Sequence, residues 1–278
     1  MSEEELKITV QPVAHRIWRC TAPNAMCSCV IFAGERAVLV ADSMLTPGLA
    51  RQVKTAVCEI AGRPTRYLLN THGDSDHVFG NQVFSPETII LAHHLTRERL
   101  ITNGERELQA AKTRRPQLAT EFDQVHIVPP DLAFDGSLEI DLGNLTLHCL
   151  YLGPAHTPGD VAVWAPQQRF LFPGDIVFNH IFPVMRNADP DGWLQALNRL
   201  EKLDPEVVAP GHGEVGDKTT IREMTQLITT LRDTVRNAKM KALTLQQTLD
   251  TISLPDYQTL PRAEDRLPEA IQRLYTLA

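Results

Sequence analysis

The sequence predicts an α+β fold in which two β-rich halves pack sheet on sheet with helices outside, a four-layer αββα sandwich. Three observations point to it. Short apolar runs broken by Pro, Asn and Gly fill residues 6–42, similar runs return in residues 145–210, and each half also carries stretches of helical periodicity. The expected organisation is one αββα domain over residues 1–216, with a helical insertion at about 95–121, and a C-terminal helical extension, residues 217–278, packed on the same domain.

In chain order, "LKITVQPV", "HRIWRCT", "MCSCVIFAG" and "AVLVADS" read as a meander of strands. A helix follows, with Thr46 as N-cap, Pro47 in its first turn, Leu49, Val53, Ala56, Val57 and Ile60 on one face, and Gly62 as its stop. It leads into "TRYLLN", a short buried strand, and then "ETIILAH". Residues 95–121, rich in Arg, Glu and Gln, read as an exposed helical insertion able to overhang a neighbouring site. The second half supplies the strands "LTLHCLYL", "VAVWA" and "RFLFPG", a helix from Pro190 to Leu203, and the short strand "EVVAP". From Lys218 onward, Ile221, Met224, Leu227, Ile228, Leu231 and Val235 form an amphipathic stripe.

With 278 residues, 43% of them hydrophobic, the chain can bury a sizeable core. A net charge of −7 argues against nucleic acid or anionic membrane as partner, both of which need clustered Lys and Arg, and favours a small-molecule substrate. The start, "MSEEELKITV", lacks a signal-peptide pattern, and no stretch approaches ~20 uninterrupted apolar residues, so a cytoplasmic protein is expected. Homo-oligomerisation stays open. Five cysteines, an odd count, suggest free thiols. Cys27 and Cys29 would share one strand face and read as small buried hydrophobes.

Residues 70–81, "NTHGDSDHVFGN", crowd His72, Asp74, Asp76 and His77 directly after an apolar run. That places them at the C-terminal end of a strand that follows a crossover helix, where α/β proteins put ligand sites. Three later strands end similarly: "GPAHTPGD" places His156, "LFPGDIVF" places Asp175 and "VAPGHGEV" places His212. Each alone is ordinary turn chemistry.

Jointly, this set resembles the metallo-β-lactamase fold superfamily, whose pattern is H-x-H-x-D-H followed by a distant His, an Asp and a His. The order matches over nearly all of residues 7–216, and Asp42 in "VLVADS" is similar to the family's early buried acid. One departure stands out: Asp74 occupies a position where histidine is usual. The resemblance implies one metal held by His72, Asp74 and His156, a second held by Asp76, His77 and His212, and Asp175 between them. Asp76 and Asp175 are then the catalytic acids.

Imidazole and carboxylate suit borderline and harder divalent ions, and two-metal sites work at roughly 3.5–4 Å separation. Two transition-metal ions are expected, zinc first, with iron or manganese as the alternative. Three aspartates leave the pair less positive than a histidine at 74 would. The reaction expected is hydrolysis by a metal-bound hydroxide of an ester, lactone, thioester or amide.

Two alternatives stay open. A carboxylate at the second position also resembles the flavodiiron branch, a diiron redox enzyme, and a noncatalytic metal-binding relative is the third reading. Substrate choice is expected in "IVFNHIFPVMRNADPDGW", through Phe178, His180, Phe182, Met185 and Arg186. Ordinary packing of that loop is the competing explanation.

Overall fold

The computed structural model describes residues 6–25 and 27–278; the acidic start at residues 1–5 and Met26, the head of the expected third strand, lie outside them. Seven strands form the first sheet: β1 (Thr9–Ala14), β2 (Ile17–Thr21), β3 (Ser28–Ala33), β4 (Val38–Ala41), β5 (Tyr67–Leu69), β6 (Ile89–His93) and β7 (Leu132–Phe134). They lie in chain order, antiparallel up to β4 and parallel from β4 to β7.

The later strands are β8 (Ser137–Asp141), β9 (Thr146–Tyr151), β10 (Val161–Ala165), β11 (Phe170–Phe172), β12 (Phe178–Asn179), β13 (Val207–Val208) and β14 (His212–Gly213). The second sheet has the order β13-β11-β10-β9-β8, while β12 and β14 pair in parallel beside it. The sequence reading passed over β7 and β8, whose mostly exposed residues make no apolar run, and the two-residue strands β12 and β14.

Alternation along the strands builds the layers. Phe32, Leu39 and Leu69 of the first sheet face Leu147, Val163 and Phe170 of the second, and the Phe32 and Phe170 rings meet edge-on at 5.8 Å. Ile31, Val40 and Leu68 point the other way. They meet α1 (Pro47–Ala61) through Leu49, Val53 and Val57, and α4 (His94–Arg114) through Leu100 and Leu108. Between these helices lie the single turns α2 (Ser75–Val78) and α3 (Asn81–Phe84), and α5 (Ala119–Asp123) follows α4.

On the outer face of the second sheet, Ala162, Trp164 and Leu171 pack on α6 (Pro190–Lys202) and α7 (Lys218–Met240). Both faces of β3 and β10 are therefore buried, which is why they read as continuous apolar runs. The order is helix, sheet, sheet, helix.

Local signals set the helix ends as expected. Thr46 caps α1 by accepting from the Leu49 N–H, and Gly62 closes it in the left-handed region. All six residues of the α7 stripe are buried. Each buried aliphatic side chain of that kind is worth about 1.5–3 kcal/mol relative to exposure. The chain ends with α8 (Leu245–Thr251), α9 (Pro255–Gln258) and α10 (Ala263–Leu277), whose Leu267, Ile271 and Leu274 join the same core as α6 and α7. Among the described residues, no helix is long and apolar enough to cross a membrane.

Candidate metal centre

The carboxyl ends of β4 and β5 open on one edge of the sandwich, and the loops after β9 and β11, with β14, reach the same edge from the second sheet. After β5 the chain makes a tight loop whose shape is held from inside. Asn70 and Asn81 exchange amide hydrogen bonds at 2.9 Å, and the Ser43 N–H and Asn70 side chain both donate to the His77 carbonyl. The first and last residues of "NTHGDSDHVFGN" thus close the loop on itself. The one-turn helix α2 then presents Asp76 and His77.

Asp175 is the hub. Its Oδ2 lies 3.2 Å from His212 Nε2, 3.7 Å from His156 Nε2 and 3.8 Å from His72 Nε2; its Oδ1 lies 3.3 Å from His77 Nε2. Asp74 Oδ2 sits 3.1 Å from His156 Nε2, and Asp76 Oδ2 sits 3.4 Å from His212 Nε2. Two triads result, His72–Asp74–His156 and Asp76–His77–His212, each offering ligand-type atoms within 4.8 Å of one another.

Groups behind the ring fix which nitrogen faces inward. Asp42, fully buried, accepts from the Thr71 N–H at 2.7 Å and the Thr71 hydroxyl at 2.8 Å, and holds His77 Nδ1 at 2.8 Å. Having given its proton to Asp42, the Thr71 hydroxyl accepts from His72 Nδ1 at 2.9 Å. His156 Nδ1 donates to the Val184 carbonyl at 2.9 Å. These partners take up the Nδ1 side of His72, His77 and His156 and turn their Nε2 atoms toward Asp175, the usual arrangement behind metal-ligating histidines, where the ion takes the place of the Nε2 proton.

Electrostatics calls for a cation. Burial alone would raise the pKa of Asp175, yet the imidazoles of His212, His77 and His72 hold its carboxyl far below the usual carboxylate range. Burial opposes protonation of His156 too, but Asp74 and Asp175 push it up to about 9, and Asp175 and Asp42 likewise lift His77 to about 10. His72 Nε2, His77 Nε2 and Asp175 Oδ1 are buried and make no hydrogen bond, which is costly unless something else satisfies them. An imidazole and carboxylate donor set with orphaned inward atoms fits divalent metal ions.

Glycine makes the hub possible. A Cβ on Gly211 would lie 2.0 Å from Asp175 Oδ1, so only glycine lets the backbone before His212 pass that close.

The sequence profile of the metallo-beta-lactamase superfamily matches residues 22–212. The chain belongs to the metallo-beta-lactamase superfamily. Over 217 residues, 76% of its length, it is 29% identical to the 2,4-dinitroanisole O-demethylase subunit alpha of Nocardioides sp. (strain JS1661). It is 30% identical over 104 residues, 36% of its length, to the metallo-beta-lactamase type 2 of Bacteroides fragilis. These matches span 59% and 42% of the two relatives, so the chain covers about half the length of the curated relatives it matches. A solved metallo-beta-lactamase from Pontibacter korlensis superposes with a TM-score of 0.66 at 20% identity, covering 80% of this chain and 99% of that one.

Within this metallo-beta-lactamase fold, His72, Asp74, Asp76, His77, His156, Asp175 and His212 all converge. The expected substrate loop does not behave as a unit. Phe178, Phe182 and Met185 are buried in the core, because the loop packs beneath α6, where Trp193 donates to the Ile176 carbonyl at 2.8 Å. Phe178 stacks on His212 with ring centroids 5.2 Å apart and so supports a histidine instead of forming a cavity wall. His180 is exposed, 3.7 Å from Glu214. Arg186 alone of the five lines the cavity over the centre.

Arg99, on α4, escaped the sequence reading: its Nη2 lies 2.6 Å from Asp74 Oδ1. Overhang of the insertion was legible, but no local pattern marks which of its arginines turns inward. Arg19 was missed as well. It is buried, and it ties Ser28 to the Gly213 carbonyl beside His212 through hydrogen bonds of 2.5 Å from Nη2. Cys27 and Cys29 are buried apolar-core residues, as expected.

Proposed function

We propose that this chain is a dinuclear metal-dependent hydrolase of small molecules, with His72, Asp74 and His156 holding one ion, Asp76, His77 and His212 the other, and Asp175 shared. The observation that carries this reading is the position of Asp175, whose two oxygens face the Nε2 atoms of four histidines. Zinc is the first choice for both ions, with iron or manganese the alternative favoured by three carboxylates.

When bound, such ions supply a water of lowered pKa and a Lewis acid for the oxygen under attack. The chain's own groups do the rest. Asp76 would orient the attacking water and accept its proton, since it is the least buried of the inward carboxylates after Asp74 and lines the cavity. Asp42, Thr71 and the Val184 carbonyl keep the histidines in the ligating tautomer. No protein nucleophile is needed: the Cys27 thiol is buried and pushed well above its ordinary pKa by that burial.

Elemental analysis of protein purified without added metal, run with a hydrolysis panel on the same sample, tests the proposal. The panel holds an ester, a lactone, a thioester and an amide. It includes an activated aryl methyl ether, because one relative is named for 2,4-dinitroanisole O-demethylation. Two ions per chain and turnover that chelation abolishes are expected. Turnover indifferent to chelation, or none with both ions in place, sinks the reading.

A further inference from the structure

Above the centre lies a cavity of about 380 Å³ whose floor includes Asp74, Asp76, Asp175 and His212. Six arginines line it: Arg99, Arg114, Arg115, Arg186, Arg262 and Arg266. Three of them are matched by acids. Arg99 pairs with Asp74, with Glu107 3.6 Å away; Arg262 lies 3.1 Å from Asp265; and Arg186 lies 3.7 Å from Glu269. Arg114, Arg115 and Arg266 have no carboxylate within the 4.0 Å of an ion pair among the described residues.

The two walls come from different parts of the chain. Arg114 ends α4 and Arg115 follows it; Arg266 stands opposite, on α10. A cation at the end of α4 suits the helix dipole and would need no further reason. Arg266 has no such excuse, because it lies four residues into α10, where the dipole disfavours positive charge. It is also half-buried, held by donation to the Phe182 carbonyl and placed 6.0 Å from the Phe178 ring. Burial first, and then the neighbouring Arg262, bring its pKa down to about 10, and burial together with Arg186 depresses that of Arg114.

The charge count gives the direction. The cavity is lined by six arginines and six carboxylates, Asp74, Asp76, Glu107, Asp175, Asp265 and Glu269, which cancel. Two divalent ions on three of those aspartates would leave the cavity strongly positive inside a chain of net charge −7. A concave, low-dielectric site of one sign focuses its field and concentrates ligands of the opposite sign. Guanidinium groups present a planar fork that matches carboxylate, sulfate and phosphate oxygens in pairs.

We propose that the cavity selects substrates bearing an anionic oxyacid group, held by Arg114, Arg115 and Arg266, with the bond to be cleaved lying over Asp76, Asp175 and His212. The position of the cleaved bond rests on the hydrolase reading; the anion site rests on the arginines and on the two bound ions of that reading, not on hydrolysis.

Two measurements on the metal-loaded protein test it. In the first, kcat/KM is compared for 4-nitrophenyl acetate and the singly charged 4-nitrophenyl hydrogen succinate. A preference of about tenfold or more for the anion is expected at low salt, shrinking as salt screens the cavity. That ratio should fall about tenfold in Arg114→Gln/Arg115→Gln and in Arg266→Gln, with Arg266→Lys keeping part of it. In the second, calorimetry follows glutarate against its uncharged dimethyl ester, with glutarate expected to bind at least tenfold more weakly to the double variant than to the parent. Arginine-dependent glutarate binding without turnover of either ester or of any member of the hydrolysis panel removes the hydrolase reading and leaves the anion site standing. Turnover without anion preference, or glutarate binding indifferent to all three arginines, overturns the proposal.

Discussion

Arg99 Nη2 lies 2.6 Å from Asp74 Oδ1, while the other oxygen of Asp74 lies 3.1 Å from His156 Nε2. The residue that stands where histidine is usual in the superfamily is thus held by a cation on one side and offered to His72 and His156 on the other. Position 74 is one half of a pair. Restoring histidine alone would leave Arg99 facing an imidazole and a dication with only Glu107, 3.6 Å away, as counter-charge, a loss of order 1–3 kcal/mol for a hydrogen-bonded charge.

Asp74→His is therefore expected to lose the ion held by His72 and His156, and Asp74→His/Arg99→Gln to regain it with a shift toward zinc. Metal content after dialysis reads the outcome directly. Two tightly held ions in the single variant would show that Arg99 and residue 74 are not coupled.

Removing the metals should loosen the fold, because the buried Nε2 atoms of His72 and His77 and the Oδ1 of Asp175 would lose the partner that satisfies them. At a thousandfold excess over Kd, bound metal contributes about 4 kcal/mol. Each ion contributes that much, so for a chain of this size chelating both should lower Tm by roughly 10–20 °C. Calorimetric scans with and without chelator check this, and His77→Ala and His212→Ala should each shrink the difference while leaving a folded protein.

Asp42→Asn keeps the shape of the side chain but replaces the acceptor behind His77 Nδ1 with a group that can present an N–H. Loss of the ligating tautomer is expected to weaken metal binding by about 10–100-fold. Competition titration against a metal indicator measures it, and affinity equal to the parent's would remove Asp42 from this role.

Gly211→Ala inserts a methyl group 2.0 Å from Asp175 Oδ1. A displacement near 1 Å at a catalytic group can lose about 10²-fold in rate. Turnover should drop by that order while circular dichroism stays close to the parent's. An unchanged rate would mean the loop of Asp175 and His212 can yield at no expense.

Thiol chemistry gives an independent check on the core. Cys58 is exposed, whereas Cys20, Cys27, Cys29 and Cys149 are buried, and burial pushes the Cys149 thiol up to about 12. The thiolate is the reactive form, so Cys149 should stay protonated and inert through the alkaline range below that value. Mass spectrometry after alkylation at mild pH should find one label in the native protein and five after denaturation.

The seven residues that converge on Asp175 were legible because each lies in a loop after an apolar strand, flanked by turn residues, a signal carried by neighbours in the chain. So were the caps of α1, Thr46 and Gly62, and the stripe of α7, since capping and helical periodicity act over one or two turns. The loop from Phe178 to Arg186 misled for the same reason. Its aromatic character is real, but whether an apolar loop faces a cavity or a core depends on what lies beneath it, here Trp193 and the C-terminal helices.

By itself, then, the sequence determined the sandwich, the order of its apolar strands and main helices, and the seven residues that gather at its edge. Only the tertiary structure decided their partnerships. Asp74 and His156 are 82 residues apart in the chain, and Phe182 and Arg266 are 84 apart. Between residues so distant, no local rule links the charge of one to the conformation of the other. The acidic total of the chain concealed a cavity lined by six arginines, because net charge sums over the whole surface while a ligand meets the field of one concave site.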